Sequence, residues 1–281
     1  MSKKKKLYLI GEAVEHHRAP ALFDAMIAQT GVPYTYTARR VTAEQLPAFL
    51  KEAKESGDCA GFNVTMPLKE AIVPLLDEIS ATSAACGAVN TVCIRDGKAY
   101  GYNTDGRGFV ESLRANGLEP EGKTVLLLGT GGAGEAICDA LVQAGVKKIF
   151  VTNRNVYRAK ELAARYPDKT QFMYFGIFPV RQAMAESDLF INATTLGMAG
   201  IKEFSDLGFL RDAHSDAIIY DLVYAPRHTL LMQEAEKHGM KTISGTELLL
   251  QQAMRAFILL TGTEPDTTDL PQVLEKALEN V

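Results

Sequence analysis

The stretch KTVLLLGTGGAGEAICDAL, residues 123–141, decides the fold. Residues 125–128 form an unbroken apolar run, as a strand buried on both faces would. Gly129-x-Gly131-x-x-Gly134 follows at once, and a helical pattern begins there. A glycine motif alone is weak evidence; one placed between a strand and a helix predicts dinucleotide binding. Gly129 permits the tight turn, Gly131 lets backbone N–H groups approach a pyrophosphate, and Gly134 lets helix and strand pack closely, with the phosphates at the helix N-terminus. Twenty residues beyond Gly134, where an NAD enzyme usually carries Asp or Glu for the ribose 2′-OH, the chain reads Thr152-Asn153-Arg154. A guanidinium there suits a 2′-phosphate, so the predicted cofactor is NADP(H).

The bulk numbers exclude several classes. A chain of 281 residues is one large domain or two ordinary ones. The net charge of −4 gives no footprint for nucleic acid. Lys3 to Lys6 is basic, but the apolar segment after it is too short for a signal peptide, and the run reads as a solvated tail. No stretch reaches the ~18 apolar residues of a membrane span. Cys59, Cys86, Cys93 and Cys138 form no CxxC pair and read as reduced, mostly buried thiols of a cytoplasmic protein, with neither metal nor disulfide.

The pattern along the chain alternates strand and helix. Residues 7–10 read as a strand, 21–28 as a helix, 34–38 as a strand. Thr42 reads as the cap of a helix, with Gln45 three positions on. Residues 59–64 form a strand, Pro67 starts a helix, and 89–94 with 99–102 form a hairpin turned by Asp96-Gly97. Asp105 begins a helix leading to the glycine motif. Strands are then expected at 124–129, 148–152, 171–175, 188–192 and 217–222, with helices that include 133–144 and 156–165. Pro226 to His238 reads as helical, 241–244 as a strand broken by Gly245, and 246–261 and 269–280 as closing helices. Such alternation is that of a parallel sheet wrapped by helices.

Several separated motifs resemble one family. Gly11 to Pro20, NVTMPLK at 63–69, GAVNT at 87–91, NTDG at 103–106, the glycine motif, and NAT at 192–194 occur in the order seen in shikimate dehydrogenases. The resemblance implies an α/β protein of two domains with a cleft between them. Residues 1–105 and 245–281 would make the substrate domain, to which the C-terminal helices return, and 106–244 a Rossmann-like NADP-binding domain. It implies reversible hydride transfer between NADPH and a 3-dehydroshikimate-like cyclic ketone, or quinate and other polyol acids in relatives, by a cytoplasmic monomer or homodimer that needs neither nucleic acid nor membrane. A sensor that binds NADP without catalysis is the contrasting class.

By the same resemblance Lys69 and Asp105 are the catalytic pair. Hydride transfer to a carbonyl needs a group that exchanges a proton at its oxygen. A free lysine, with a pKa near ~10.4, is a poor base at neutral pH. Lys69 would be the acid/base and Asp105 its orienter. Asn63, Thr65, Asn90, Tyr224 and Gln252 would contact substrate. Gly129, Gly131, Gly132, Ala133, Gly134, Asn153, Arg154, Thr194 and Gly245 would contact cofactor. Arg158, one helical turn after Arg154, would add a second guanidinium to the phosphate.

The first motif departs from the family's GxPIxHSxSP. His17 and Ala19 stand where the family has two serines that hold the substrate carboxylate. Losing such a hydrogen bond costs roughly 1.5–3 kcal/mol, and Ala19 is a poor cap before Pro20. Two readings stay open: His17 and the helix N-terminus still hold a carboxylate, or the pocket is rebuilt for another polyol acid. His16 matches the family histidine, with a local hydrogen-bonding role. Asn155 replaces the family's Thr or Ser, losing a hydroxyl and keeping a donor.

Overall fold

The computed structural model describes residues 4–15 and 17–279. His16 and Lys3 lie outside them. The chain divides into two compact units, residues 1–108 with 249–281, and residues 109–248.

The first unit is built on a six-stranded mixed sheet: β1 (Lys5–Gly11), β2 (Tyr34–Arg40), β3 (Cys59–Val64), β4 (Glu78–Ile79), β5 (Thr91–Arg95) and β6 (Lys98–Tyr102), in the order β2-β1-β3-β5-β6-β4. β1 runs parallel to β2 and β3, while β5 is antiparallel to β3 and β6. Period-two alternation places the side chains of β1. Ile10 and Tyr8 join the cluster of Phe49, Phe62 and Val92, while Leu7 and Leu9 are buried on the opposite face. Lys5 and Lys6 are strand residues, and Lys6 pairs with Asp58 at 2.9 Å, so the basic run is not simply a solvated tail. The β5–β6 hairpin turns on Asp96 and Gly97, both at positive φ (51° and 71°), as the Asp-Gly signal predicts.

Helices α1 (Ala19–Thr30), α2 (Leu46–Glu55), the single turn α3 (Leu68–Ala71) and α4 (Ala81–Cys86) connect these strands. On α1, Phe23 stacks on Tyr36 at 4.0 Å and meets Phe257 edge-on at 5.8 Å. Three starts differ from expectation. Thr42 does not cap α2. The helix begins at Leu46, and the Gln45 Oε1 instead accepts the Thr42 N–H at 3.0 Å, half of a capping box closed over a turn. Arg18, not Ala19, is the residue before α1. Pro67 precedes α3 rather than occupying its first position, and α3 is only four residues long.

The second unit holds a six-stranded parallel sheet: β7 (Thr124–Leu128), β8 (Lys148–Asn153), β9 (Thr170–Tyr174), β10 (Leu189–Asn192), β11 (Ile218–Asp221) and β12 (Lys241–Ser244), in the order β12-β11-β10-β7-β8-β9. β7 is buried along its whole length, and its side chains split between two cores. Val125 and Leu127 pack with Phe109, Ile137 and Leu141; Leu126 and Leu128 pack with Phe190, Met184 and Leu231. A strand buried on both faces needs helices on both faces. They are supplied by α5 (Asp105–Ala115), α6 (Gly132–Gln143), α7 (Val156–Arg165), α8 (Ile177–Glu186) and α9 (Leu230–Lys237). The chain continues into α10 (Gly245–Thr261) and α11 (Leu270–Glu279). The expected helix at 226–238 is shorter, because residues 226–228 are bends and Thr229 caps α9 by accepting the Met232 N–H. Gly245 ends the strand as expected and is itself the first residue of α10, one position before the expected start.

The strand order reverses between β7 and β10. In open α/β sheets the crevice beyond the strand ends at such a switch point is where ligands bind.

Candidate active site

In the first unit, the parallel strands β1 and β3 end side by side, with Ile10 opposite Val64. The Thr65 N–H donates to Ile10 O at 2.9 Å, and Glu12 N–H to Met66 O. The loops leaving both strands therefore run together, one towards His17 and the other towards Lys69.

Lys69 Nζ donates to Asp105 Oδ2 at 2.6 Å, with side-chain exposures of 18% and 6%. Two side chains, Asn103 and Asn90, hold Asp105 from the other side of this pair. The Asn103 Oδ1 accepts the Asp105 N–H at 2.9 Å, which fixes the start of α5. Asn90 Nδ2 donates to Asp105 Oδ1 at 2.9 Å and to Thr104 Oγ1 at 2.9 Å, and its Oδ1 accepts the Thr104 N–H at 2.9 Å. Thr104, which the sequence reading passed over, in turn donates to the Gln252 carbonyl at 3.1 Å. Close approach is required here: a Cβ on Gly108 would lie 2.9 Å from Gln252 N. So the carboxylate beside Lys69 is braced by a buried network, and such networks fix one geometry when fully satisfied.

The structure brings Lys69, Asp105, Asn90 and Gln252 together. Asn63 lies one step behind them. Both of its amide hydrogens are spent on Asn90 O (3.2 Å) and Thr91 Oγ1 (3.0 Å), and its Oδ1 accepts from the Tyr36 hydroxyl at 2.9 Å. It is thus a scaffold for β3 and β5 with no donor to spare. Thr65 is half-buried at the exit of β3. His17 Nδ1 accepts the Ala19 N–H at 3.1 Å, filling the role a capping hydroxyl would have played. Burial, with the Lys69 and Arg18 charges behind it, pushes the His17 imidazole down to about 4. It is therefore neutral near pH 7, with its proton on Nε2.

In the second unit, Gly129, Thr130, Gly131, Asn153, Arg154, Thr194 and Leu196 line a cavity at the switch point of the sheet. Gly129 has φ +107°, and a Cβ there would lie 2.7 Å from Ala193 O. A Cβ on Gly134 would overlap the Gly129 carbonyl oxygen. Gly131 is different: a Cβ there would meet no protein atom within 4 Å, so the space before the first turn of α6, with Gly132 and Ala133, is open. Arg154 is exposed, and among the described residues no carboxylate pairs with it. Asn153 Nδ2 bonds Thr130 Oγ1 at 2.5 Å, tying the end of β8 to the glycine turn. Open backbone donors at a helix N-terminus beside an uncommitted guanidinium fit a dinucleotide carrying a 2′-phosphate. The buried Thr152 Oγ1, which has no hydrogen-bond partner among the described residues, lines an adjoining apolar recess with Leu128, Phe175 and Phe190.

Arg158 is not at that cavity's wall. It lies 3.5 Å from Glu135, a carboxylate shared with Arg165 at 2.9 Å. Asn155 caps α7, its Oδ1 accepting the Tyr157 and Arg158 N–H groups. Gly245 is explained by packing: a Cβ would overlap the Leu222 carbonyl. Tyr224 follows β11, half-buried. Among the described residues no His, Cys, Asp or Glu cluster could hold a metal, and no helix is long and apolar enough to cross a membrane.

A family model described as the shikimate dehydrogenase substrate binding domain matches residues 9–92, and one described as shikimate / quinate 5-dehydrogenase matches residues 113–224. The chain is 39% identical to a shikimate dehydrogenase (NADP(+)) of Alkaliphilus metalliredigens over 91% of both chains. Among solved structures it resembles shikimate 5-dehydrogenase of Thermus thermophilus in complex with NADP(H) and shikimate (TM-score 0.86, 33% identity, covering 98% of this chain and 100% of that one). It also resembles quinate dehydrogenase of Corynebacterium glutamicum in complex with NAD (TM-score 0.86, 30% identity, 99% of each chain).

Proposed function

The chain belongs to the shikimate dehydrogenase family, and from that premise we propose that it reduces a 3-dehydroshikimate-like cyclic ketone with NADPH, reversibly, using Lys69 and Asp105. The observation that carries the reading is the 2.6 Å pair between their side chains, held from the carboxylate side by Asn90 and Asn103. NADPH, when bound, supplies the hydride. The chain's own groups do the rest. Lys69 Nζ exchanges the proton at the oxygen of the reacting carbon. Asp105 keeps the ammonium aimed, and Asn90 with Thr104 keeps Asp105 from turning. Gln252 and Thr65 present polar atoms to the substrate hydroxyls. The turn Gly129–Gly134, Asn153, Thr194 and the Arg154 guanidinium receive the cofactor's phosphates, and Arg158 acts on α6 through Glu135.

His17 and Ala19 favour a second reading of the substrate within this class. Ala19 has no hydroxyl, and its N–H is already taken by His17. A neutral imidazole and a methyl stand where two hydroxyls are expected, so quinate or another polyol acid is the competing substrate. The four buried free thiols fit a reducing, cytoplasmic setting, where the chain acts as a monomer or homodimer.

The test is oxidation of NADPH with 3-dehydroshikimate, and reduction of NADP with shikimate and with quinate, followed by nicotinamide absorbance. Lys69→Ala is expected to lower kcat by about 10²–10⁴-fold. Lys69→Arg keeps the charge but cannot exchange the proton, and is expected to be no better. Tight NADPH binding with no turnover of any polyol acid would overturn the enzyme reading in favour of a sensor.

A further inference from the structure

Asp221, at the end of β11, is completely buried, and among the described residues it has no salt-bridge partner. A buried carboxylate without a cation is costly unless hydrogen bonds satisfy it. Here three donors do. Asn192 Nδ2 lies at 2.8 Å and Val223 N–H at 3.1 Å from Oδ1, and Thr229 Oγ1 lies at 2.7 Å from Oδ2. Each donor belongs to a different segment. Thr229 is the cap of α9, and Val223 precedes Tyr224. Asn192 ends β10, and its other contacts run outward into the cofactor cavity. Its Oδ1 accepts the Thr194 N–H (3.1 Å) and the Thr194 hydroxyl (2.6 Å), and the Thr194 Oγ1 accepts the Leu196 N–H at 3.1 Å. Thr194 and Leu196 line the same cavity as Arg154.

We infer that Asp221 is a positioning residue for cofactor binding: through Asn192 it sets where Thr194 and Leu196 stand in the wall of the dinucleotide cavity, without itself touching the cofactor. The inference rests on the reading of that cavity as the NADP(H) site. The relay has no slack. Asn192 has two amide hydrogens, one on Asp221 and one on the Leu196 carbonyl at 3.1 Å, and its oxygen is committed to Thr194. If Asp221 is removed, an amide hydrogen is left buried without an acceptor, and the residue turns to find one. The loop it holds turns with it. Burial raises the Asp221 carboxyl to about 6, with the Glu203 charge adding to the rise, which fits a group kept for geometry rather than for stability.

Two readouts test this. The first is the Kd for NADPH, from the fluorescence of the reduced nicotinamide. Asp221→Ala is expected to weaken binding by about tenfold, the cost of a lost hydrogen bond to a charged group, with kcat at saturating cofactor changed by less than about twofold. Asp221→Asn keeps an acceptor for Asn192 and is expected to restore the native Kd. The second readout is amide hydrogen exchange without cofactor: Asp221→Ala is expected to deprotect Thr194 and Leu196 while residues 125–128 stay protected. An unchanged Kd in folded Asp221→Ala, equal losses in kcat and Kd, or failure of Asp221→Asn to restore binding would overturn the inference. Should Asp221→Ala not fold, Thr194→Val cuts the relay downstream. It is expected to weaken NADPH binding and deprotect Leu196, and native values in both would overturn it. If the native protein binds no NADPH but exchange responds as described, the cofactor reading is what fails.

Discussion

His17 Nδ1 is spent on the Ala19 N–H, and the buried imidazole contributes to the acid response of the molecule. Burial first, then the Lys69 and Arg18 charges, hold the imidazole at about 4, whereas in the unfolded chain it titrates near ~6.5. Between those values the unfolded chain holds the extra proton, so stability rises with pH across the window and is lost as pH falls from ~6.5 towards 4, by up to about 3 kcal/mol. Asp221 runs the other way. Its carboxyl is raised from 3.8 to about 6, so its burial favours the fold at low pH and weakens it as pH rises through 6. His17→Asn can still accept the Ala19 N–H but does not titrate. Thermal melts at pH 7 and pH 4.5 are expected to show a smaller acid loss for this variant than for the native chain. An equal loss would mean that His17 protonates freely in the folded state.

Elements differ in how openly the sequence declares them. The central strands of the parallel sheet are legible because β7, β10 and β11 each carry three or four consecutive apolar residues, and β8 and β11 fall within a residue of their expected ends. The strand β4 and the helix α4 escape notice because two residues, or six led by Ala-Thr-Ser, carry too little periodicity. The helix expected from Pro226 begins late because Thr229 is engaged by Asp221, a partner eight residues away that no local pattern reveals. At the site the same division holds. Lys69 and Asp105 are legible through their motifs, whereas Thr104, though it stands inside NTDG, and Asp221 act through buried partners distant in sequence that no motif displays. The turn from β7 to α6 is the most constrained joint. A methyl on Gly134 would overlap the Gly129 carbonyl, a backbone atom that cannot swing aside. Gly134→Ala is expected to destabilise the second unit by about 1–3 kcal/mol, as overpacking does. Urea unfolding should show a lower midpoint at an unchanged slope, and an unchanged midpoint would refute the close approach.

The whole molecule consists of two compact units with separate cores, one a continuous stretch of chain and the other assembled from both ends. Because the dinucleotide cavity belongs to the second unit alone, cofactor binding should stabilise the two units unequally. With NADPH at a hundredfold its Kd, amides of β7, β8 and β10 are expected to gain up to about 2.7 kcal/mol of protection against hydrogen exchange. Those of β1 and β3 are expected to gain less, and equal gains would show that the units open together. The first unit has a different exposure. Its sheet ends at β2, a seven-residue strand with which, among the described residues, no strand pairs on the outer side. Such an edge can template the addition of another chain and seed aggregation. Arg39 and Arg40 stand at its far end, and Arg39 is clamped to Glu52 by two hydrogen bonds of 2.8 Å. Charged, hydrated side chains stationed there make a second strand costly to seat, so this edge carries its own deterrent.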